Sequence, residues 1–111
     1  NIRFMIIYNV TLNIDDSIHT EWLSWMKEHI PQFLATGLFS KAIFTKVLIE
    51  EDMGGTTYSV QYHVPSKSAL DQYHQQYAQQ LQSEGVKRFG DKMLAFRTEL
   101  QLIDEFIVTK N

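Results

Sequence analysis

The chain is 111 residues long, 44% hydrophobic and 21% charged, with a formal net charge of −3. This is the size and balance of one ordinary globular domain and excludes intrinsic disorder, which needs fewer apolar residues and more net charge. Ten Lys and Arg against 13 Asp and Glu leave no general basic face for nucleic acid, and the lack of cysteine removes disulfides, thiolate nucleophiles and sulfur-ligated metal sites.

Residues 1–4, Asn-Ile-Arg-Phe, lack the apolar region and cleavage site of a signal peptide, and are set aside as a terminal extension. No run approaches the ~20 apolar residues of a membrane helix. A cytoplasmic protein with no membrane partner is the expectation. From Met5 the sequence alternates: Ile6, Tyr8, Val10 and Leu12 share one face, and Ile7, Asn9, Thr11 and Asn13 the other. Period two with β-branched and aromatic residues predicts a half-buried strand over 5–14. Asp15-Asp16-Ser17 supplies short oxygen-bearing side chains and acids for a helix start. Helical spacing then puts Ile18, Trp22, Trp25, Met26, His29 and Phe33 on one stripe. Pro31 predicts a kink or break near Ile30, and Thr36-Gly37 a helix stop.

Residues 38–50 predict a second strand, apolar on both faces. The stretch Glu51-Asp52-Met53-Gly54-Gly55 predicts a hairpin connection, because glycine takes positive φ without strain. Strand three follows, with Tyr58, Val60, Tyr62 and Val64 facing one way and Thr57, Ser59, Gln61 and His63 the other. Pro65-Ser66 opens a second helix striped by Leu70, Tyr73, Tyr77 and Leu81, with Gly85 as its stop and residues 86–91 as a connection. The fourth strand is expected over 93–103, with Leu94, Phe96, Leu100 and Leu102 on one face and Arg97, Glu99 and Gln101 on the other. Residues 104–111 form a second terminal extension, leaving one domain over 5–103.

The order β-α-β-β-α-β predicts an α+β, ferredoxin-like unit: two right-handed crossovers give a four-stranded antiparallel sheet with two helices on one face. The tyrosine-bearing faces must then meet the helices. The opposite face would be bare in a monomer, and such a face usually serves a partner, here a second copy.

Four stretches carry a resemblance: Ile-Tyr-Asn-Val-Thr at 7–11; Trp-x-x-Trp-Met-x-x-His-Ile-Pro at 22–31 with Ala-Thr-Gly at 35–37; Gly-Gly-Thr-Thr-Tyr-Ser-Val-Gln-Tyr at 54–62; and Arg-Phe-Gly-Asp with Ala-Phe-Arg-Thr at 88–91 and 95–98. From Met5 to Leu102 the chain resembles a family of short bacterial proteins known only as a domain of unknown function. That resemblance implies no activity and no catalytic residues. The layout is more distantly similar to the dimeric α/β-barrel superfamily, in which two ferredoxin-like units pack their bare sheet faces together. Its members include cofactor-free monooxygenases, haem-degrading enzymes and lactone isomerases, with pockets between sheet and helices. Fold alone does not fix function.

Three groups of residues could carry chemistry. His29, beside Trp22, Trp25 and Phe33, is a candidate general base or haem ligand; the plainer reading is a buried histidine satisfied by a tyrosine or by a carbonyl freed at Pro31. Tyr8, Tyr58, Tyr62, Tyr73 and Tyr77 converge between sheet and helices, and with Trp22 and His29 they could bind a small molecule, an aromatic one included. Aromatic stripes are more often core filler. Asn9, Gln61, His63, Arg97 and Glu99 form a set assigned to the helix-free face, more suited to a dimer interface than to acid–base work. His19, His29, His63 and His74 show no metal-ligand spacing, so neither a metal nor another cofactor is expected. An RNA-recognition domain shares this element order but needs open-face aromatics on strands one and three, where none are expected. The leading reading is a homodimer that binds a small molecule between sheet and helices. The alternatives are a cofactor-independent monooxygenase or isomerase in that pocket, and a non-enzymatic interaction module.

Overall fold

The computed structural model describes residues 5–49 and 54–109. Its strands are β1 (Ile6–Ile14), β2 (Lys41–Lys46), β3 (Thr56–Val64) and β4 (Met93–Gln101); its helices are α1 (His19–Ala35), α2 (Lys67–Gln76) and α3 (Ala78–Phe89). All pairings are antiparallel in the order β2-β3-β1-β4, with β1 and β3 at the centre.

Alternation governs the central strands. Tyr8, Val10, Leu12 and Ile14 of β1 are buried, as are Tyr58, Val60, Tyr62 and Val64 of β3. The register pairs Tyr8 with Tyr62 and Val10 with Val60, so these residues form one apolar surface. The helices cover it with Trp22, Met26, His29 and Phe33 from α1, Leu70 and Tyr73 from α2, and Ala78, Leu81 and Phe89 from α3. Burying each large apolar side chain contributes about 1.5–3 kcal/mol.

Several element boundaries differ from expectation for local reasons. Asp15 accepts from the Ser17 N–H at 2.9 Å and caps a 3-10 turn, Asp16–Ile18, that leads into α1. Helix α1 then runs through Pro31 to Ala35 instead of breaking near Ile30. The carbonyl that Pro31 leaves without a donor belongs to exposed Lys27, where water can satisfy it. The second helix is divided at Tyr77, whose φ of −128° and ψ of −27° are not helical. Gly85 is not a stop: α3 continues to Phe89, and Gly90, at φ +58°, ends it. Strand β2 is shorter than expected, and Glu51, Asp52 and Met53 of the expected hairpin lie outside the described residues.

The main correction concerns β4. Arg97 pairs with Val10 and Glu99 with Tyr8, so both lie on the helix side of the sheet, not on the open face assigned to them. Glu99 accordingly meets His74 of α2, Nε2 to Oε2 at 2.7 Å. Leu94, Phe96 and Leu100 therefore lie on the helix-free face, 49%, 63% and 45% exposed. Parity was assigned on the rule that the apolar face of a strand meets the helices. At this edge strand the helices meet Met93 and Ala95, while Leu94, Phe96 and Leu100 look outward.

The open face carries a polar ladder along β1 and β3. Ser59 donates to Asn9 Oδ1 at 2.7 Å, Gln61 donates to Ser59 Oγ at 2.8 Å, and Asn9 donates to Thr11 Oγ1 at 3.2 Å. Ile43 flanks this ladder on β2, and Leu94, Phe96 and Leu100 flank it on β4.

Candidate functional site

Beneath α1, between the sheet and the helices, lies a partly open cleft. Strand β1 brings Tyr8, β3 brings Tyr62, α1 brings Trp25 and His29, and α2 brings Tyr73. The spacing of α1 stacks its side chains: Trp25 and His29 lie 4.2 Å apart at 17°, and Phe33 meets His29 edge-on at 5.3 Å. Phe33 in turn stacks on Tyr62 at 4.3 Å, and Tyr8 lies 5.3 Å from Tyr73. Gly85 lets α3 approach closely: a Cβ there would lie 2.4 Å from the Met93 methyl and 3.3 Å from the Trp25 ring.

The polar groups of this cleft are incompletely paired. Gln82 donates weakly to the Tyr8 hydroxyl at 3.4 Å. His29 Nδ1 is fully shielded from solvent and has no hydrogen-bond partner, while the equally shielded Tyr73 hydroxyl lies against the Tyr8 hydroxyl and Gln82. Burial pushes the phenols of Tyr8, Tyr62 and Tyr73 above the usual range, so they stay protonated donors at neutral pH. Burial also lowers the His29 imidazolium pKa to about 4, which keeps the ring neutral. Arg97 reaches the same cleft from β4, and its charge acts on all three phenols. The cleft leaves about 30 Å³ to the centre of a water-sized sphere. That is room for one or two waters, whereas a benzene-binding cavity needs about 150 Å³.

Of the residues expected to bind a ligand, Tyr8, His29, Tyr62 and Tyr73 meet around this cleft. Trp22, Tyr58 and Tyr77 do not. Trp22 donates to Met93 Sδ at 3.2 Å and packs on Tyr58, whose hydroxyl meets His19 Nε2 at 2.5 Å. Tyr77 is turned to a shallow groove with Gln32 and Thr36. Asn9, Gln61 and His63 lie on the open face as expected from alternation. Sequence reasoning missed Arg97, Gln82 and Trp25 as cleft residues. Trp25 already lay on the α1 stripe, and Arg97 required the register of β4 against β1. Among the described residues no group of three or more His, Asp or Glu could hold a metal, and no helix is long and apolar enough to cross a membrane.

The sheet order, the covered tyrosine face and the cleft below α1 define an α+β domain of ferredoxin-like class. Residues 5–103 match the family model of the domain of unknown function DUF4286, and the chain belongs to that family. The fold is similar to that of a dimeric ferredoxin-like protein from an uncultured marine organism, known from its crystal structure. The two agree with a TM-score of 0.70 over 92% of this chain and 98% of that one, at 8% sequence identity. No protein of curated function matches the chain.

Proposed function

We propose that this chain is a homodimeric domain that binds a small molecule in the cleft between sheet and helices. The observation behind this reading is His29 Nδ1, a buried polar atom without a partner, on a residue that lines the cleft beside the phenols of Tyr8, Tyr62 and Tyr73. A buried polar group without a partner costs about 1–3 kcal/mol, which an occupant able to hydrogen-bond would relieve. The volume favours a compact occupant; an aromatic ring would need more room than the cleft leaves. The dimer reading is supported by the outward Leu94, Phe96, Leu100 and Ile43 and by the dimeric neighbour. The isomerase or oxygenase alternative would need His29 as base, and an imidazole held near pKa 4 is a weak one.

Thermal shifts across a metabolite panel test the binding reading, because a ligand at a hundred times its Kd adds about 2.7 kcal/mol. We expect at least one compact polar compound to raise Tm, and Tyr73→Phe to diminish that rise. A panel without any stabilising compound would defeat the reading.

A further inference from the structure

We propose that the cleft selects a small carboxylate, received by the Arg97 guanidinium and the hydroxyls of Tyr8 and Tyr73. This deepens the binding reading above and rests on it. The charge of the lining supplies the first argument. Arg97 is its one permanently charged side chain, and no Asp or Glu belongs to it. The nearby acid that acts on Tyr8, Glu99, is already engaged by His74. Arg97 itself has no hydrogen bond or ion pair among the described residues and stays exposed at the rim. An unpaired guanidinium beside an acid-free cleft asks for an anion.

The second argument is donor chemistry. Tyr73 is 0% exposed, and its hydroxyl pairs with the Tyr8 hydroxyl. Two hydroxyls that share one hydrogen bond keep a second proton, and with Gln82 donating to the Tyr8 oxygen that proton is left to give. That phenolic donor and a guanidinium match the two oxygens of a carboxylate. A phosphate dianion would meet a single cation here, and His29 adds no positive charge above its depressed pKa. The third argument is shape. The polar groups share the cleft with Val10, Leu12, Met26 and Met93, so the remainder of the ligand would be short and apolar.

Calorimetric titration at constant ionic strength with formate, acetate and propionate, against formamide, acetamide and propionamide, separates charge from size. We expect the acids to bind and the matched amides to bind at least about tenfold more weakly, as charge-assisted hydrogen bonds predict. Arg97→Gln should erase the preference for acids, and Arg97→Lys should keep part of it. Arg97 is exposed, so neither change threatens the core. Tyr73→Phe retains the ring and should weaken acids and amides alike. Amides binding as well as acids, or Arg97→Gln leaving acetate affinity intact, would overturn the carboxylate assignment while leaving a binding cleft. If none of the six compounds binds and the wider metabolite panel also fails, the cleft reading falls together with the assignment.

Discussion

His29 has an aromatic neighbour on each side: it stacks on Trp25, meets Phe33 edge-on and is only 7% exposed. Its folded-state pKa lies near 4, below the ordinary 6.5, so the folded protein resists a proton that the unfolded chain accepts. The stability tied to the neutral ring is intact above pH 6.5 and is lost as pH falls toward 4. The loss reaches about 3 kcal/mol once both states are compared below the folded pKa. We expect the difference in unfolding free energy between wild type and His29→Phe to shift by that order between pH 7 and pH 4, in favour of the variant. Urea denaturation at several pH values measures it, and a pH-independent difference would contradict the depressed pKa. At this scale the alternation of strands and the stripe of a helix were enough to bring Tyr8, Tyr62, Tyr73 and His29 together. They could not reveal that Trp22 and Tyr58 are engaged with each other instead, because that depends on rotamers and on the Met93 sulfur.

At the level of elements, β1, β3 and α1 were legible because each has one face that must be dry. Strand β4 was not. Its Leu94, Phe96 and Leu100 lie on the uncovered side, and its inward row of Met93, Ala95, Arg97 and Glu99 is half polar. An edge strand can carry polar residues toward the helices where these leave room for long side chains to reach water. Only pairing with β1 fixes its parity. The helix ends were misjudged for a related reason: Gly85 and Pro31 are breakers in isolation, and packing overrides both. Gly85 is retained inside α3 where Trp25 and Met93 crowd it. Pro31 sits on the exposed side of α1, where nothing packed against it requires a proline. Pro31→Ala should therefore restore a helical hydrogen bond and stabilise the domain by about 1–2 kcal/mol, after allowing for the greater freedom of the unfolded chain. Chemical denaturation would show it as a raised midpoint; a lowered midpoint would mean that the proline shapes α1 in a way the fold needs.

For the molecule as a whole, the covered and uncovered sides of the sheet have different work. The covered side holds the core and the cleft. The other side shows a self-satisfied polar ladder between two apolar margins, with Phe96 63% exposed. A second copy would cover those margins. Paired substitution Phe96→Glu and Leu100→Glu is expected to turn a dimer into a monomer in light scattering at micromolar concentration, with far-ultraviolet circular dichroism unchanged. Unaltered mass for the variant would send the assembly surface elsewhere, and a monomeric wild type would defeat the homodimer reading itself. Arg97 and Glu99, on the helix side of β4, would be poor places to disrupt such an assembly.

The strand order β2-β3-β1-β4 also has a consequence in time. Strand β1 is made before every other strand, yet the residues it must pair with begin at Thr56 on one side and Met93 on the other. At ~5–20 residues per second, a ribosome leaves that tyrosine- and valine-bearing segment without either neighbour for several seconds. Both of its hydrogen-bonding edges are open throughout that interval, and the second closes only when almost all of the domain has been translated. The nascent chain is thus most exposed to wrong pairing, and to capture by chaperones, at the segment that will become the most protected part of the finished sheet.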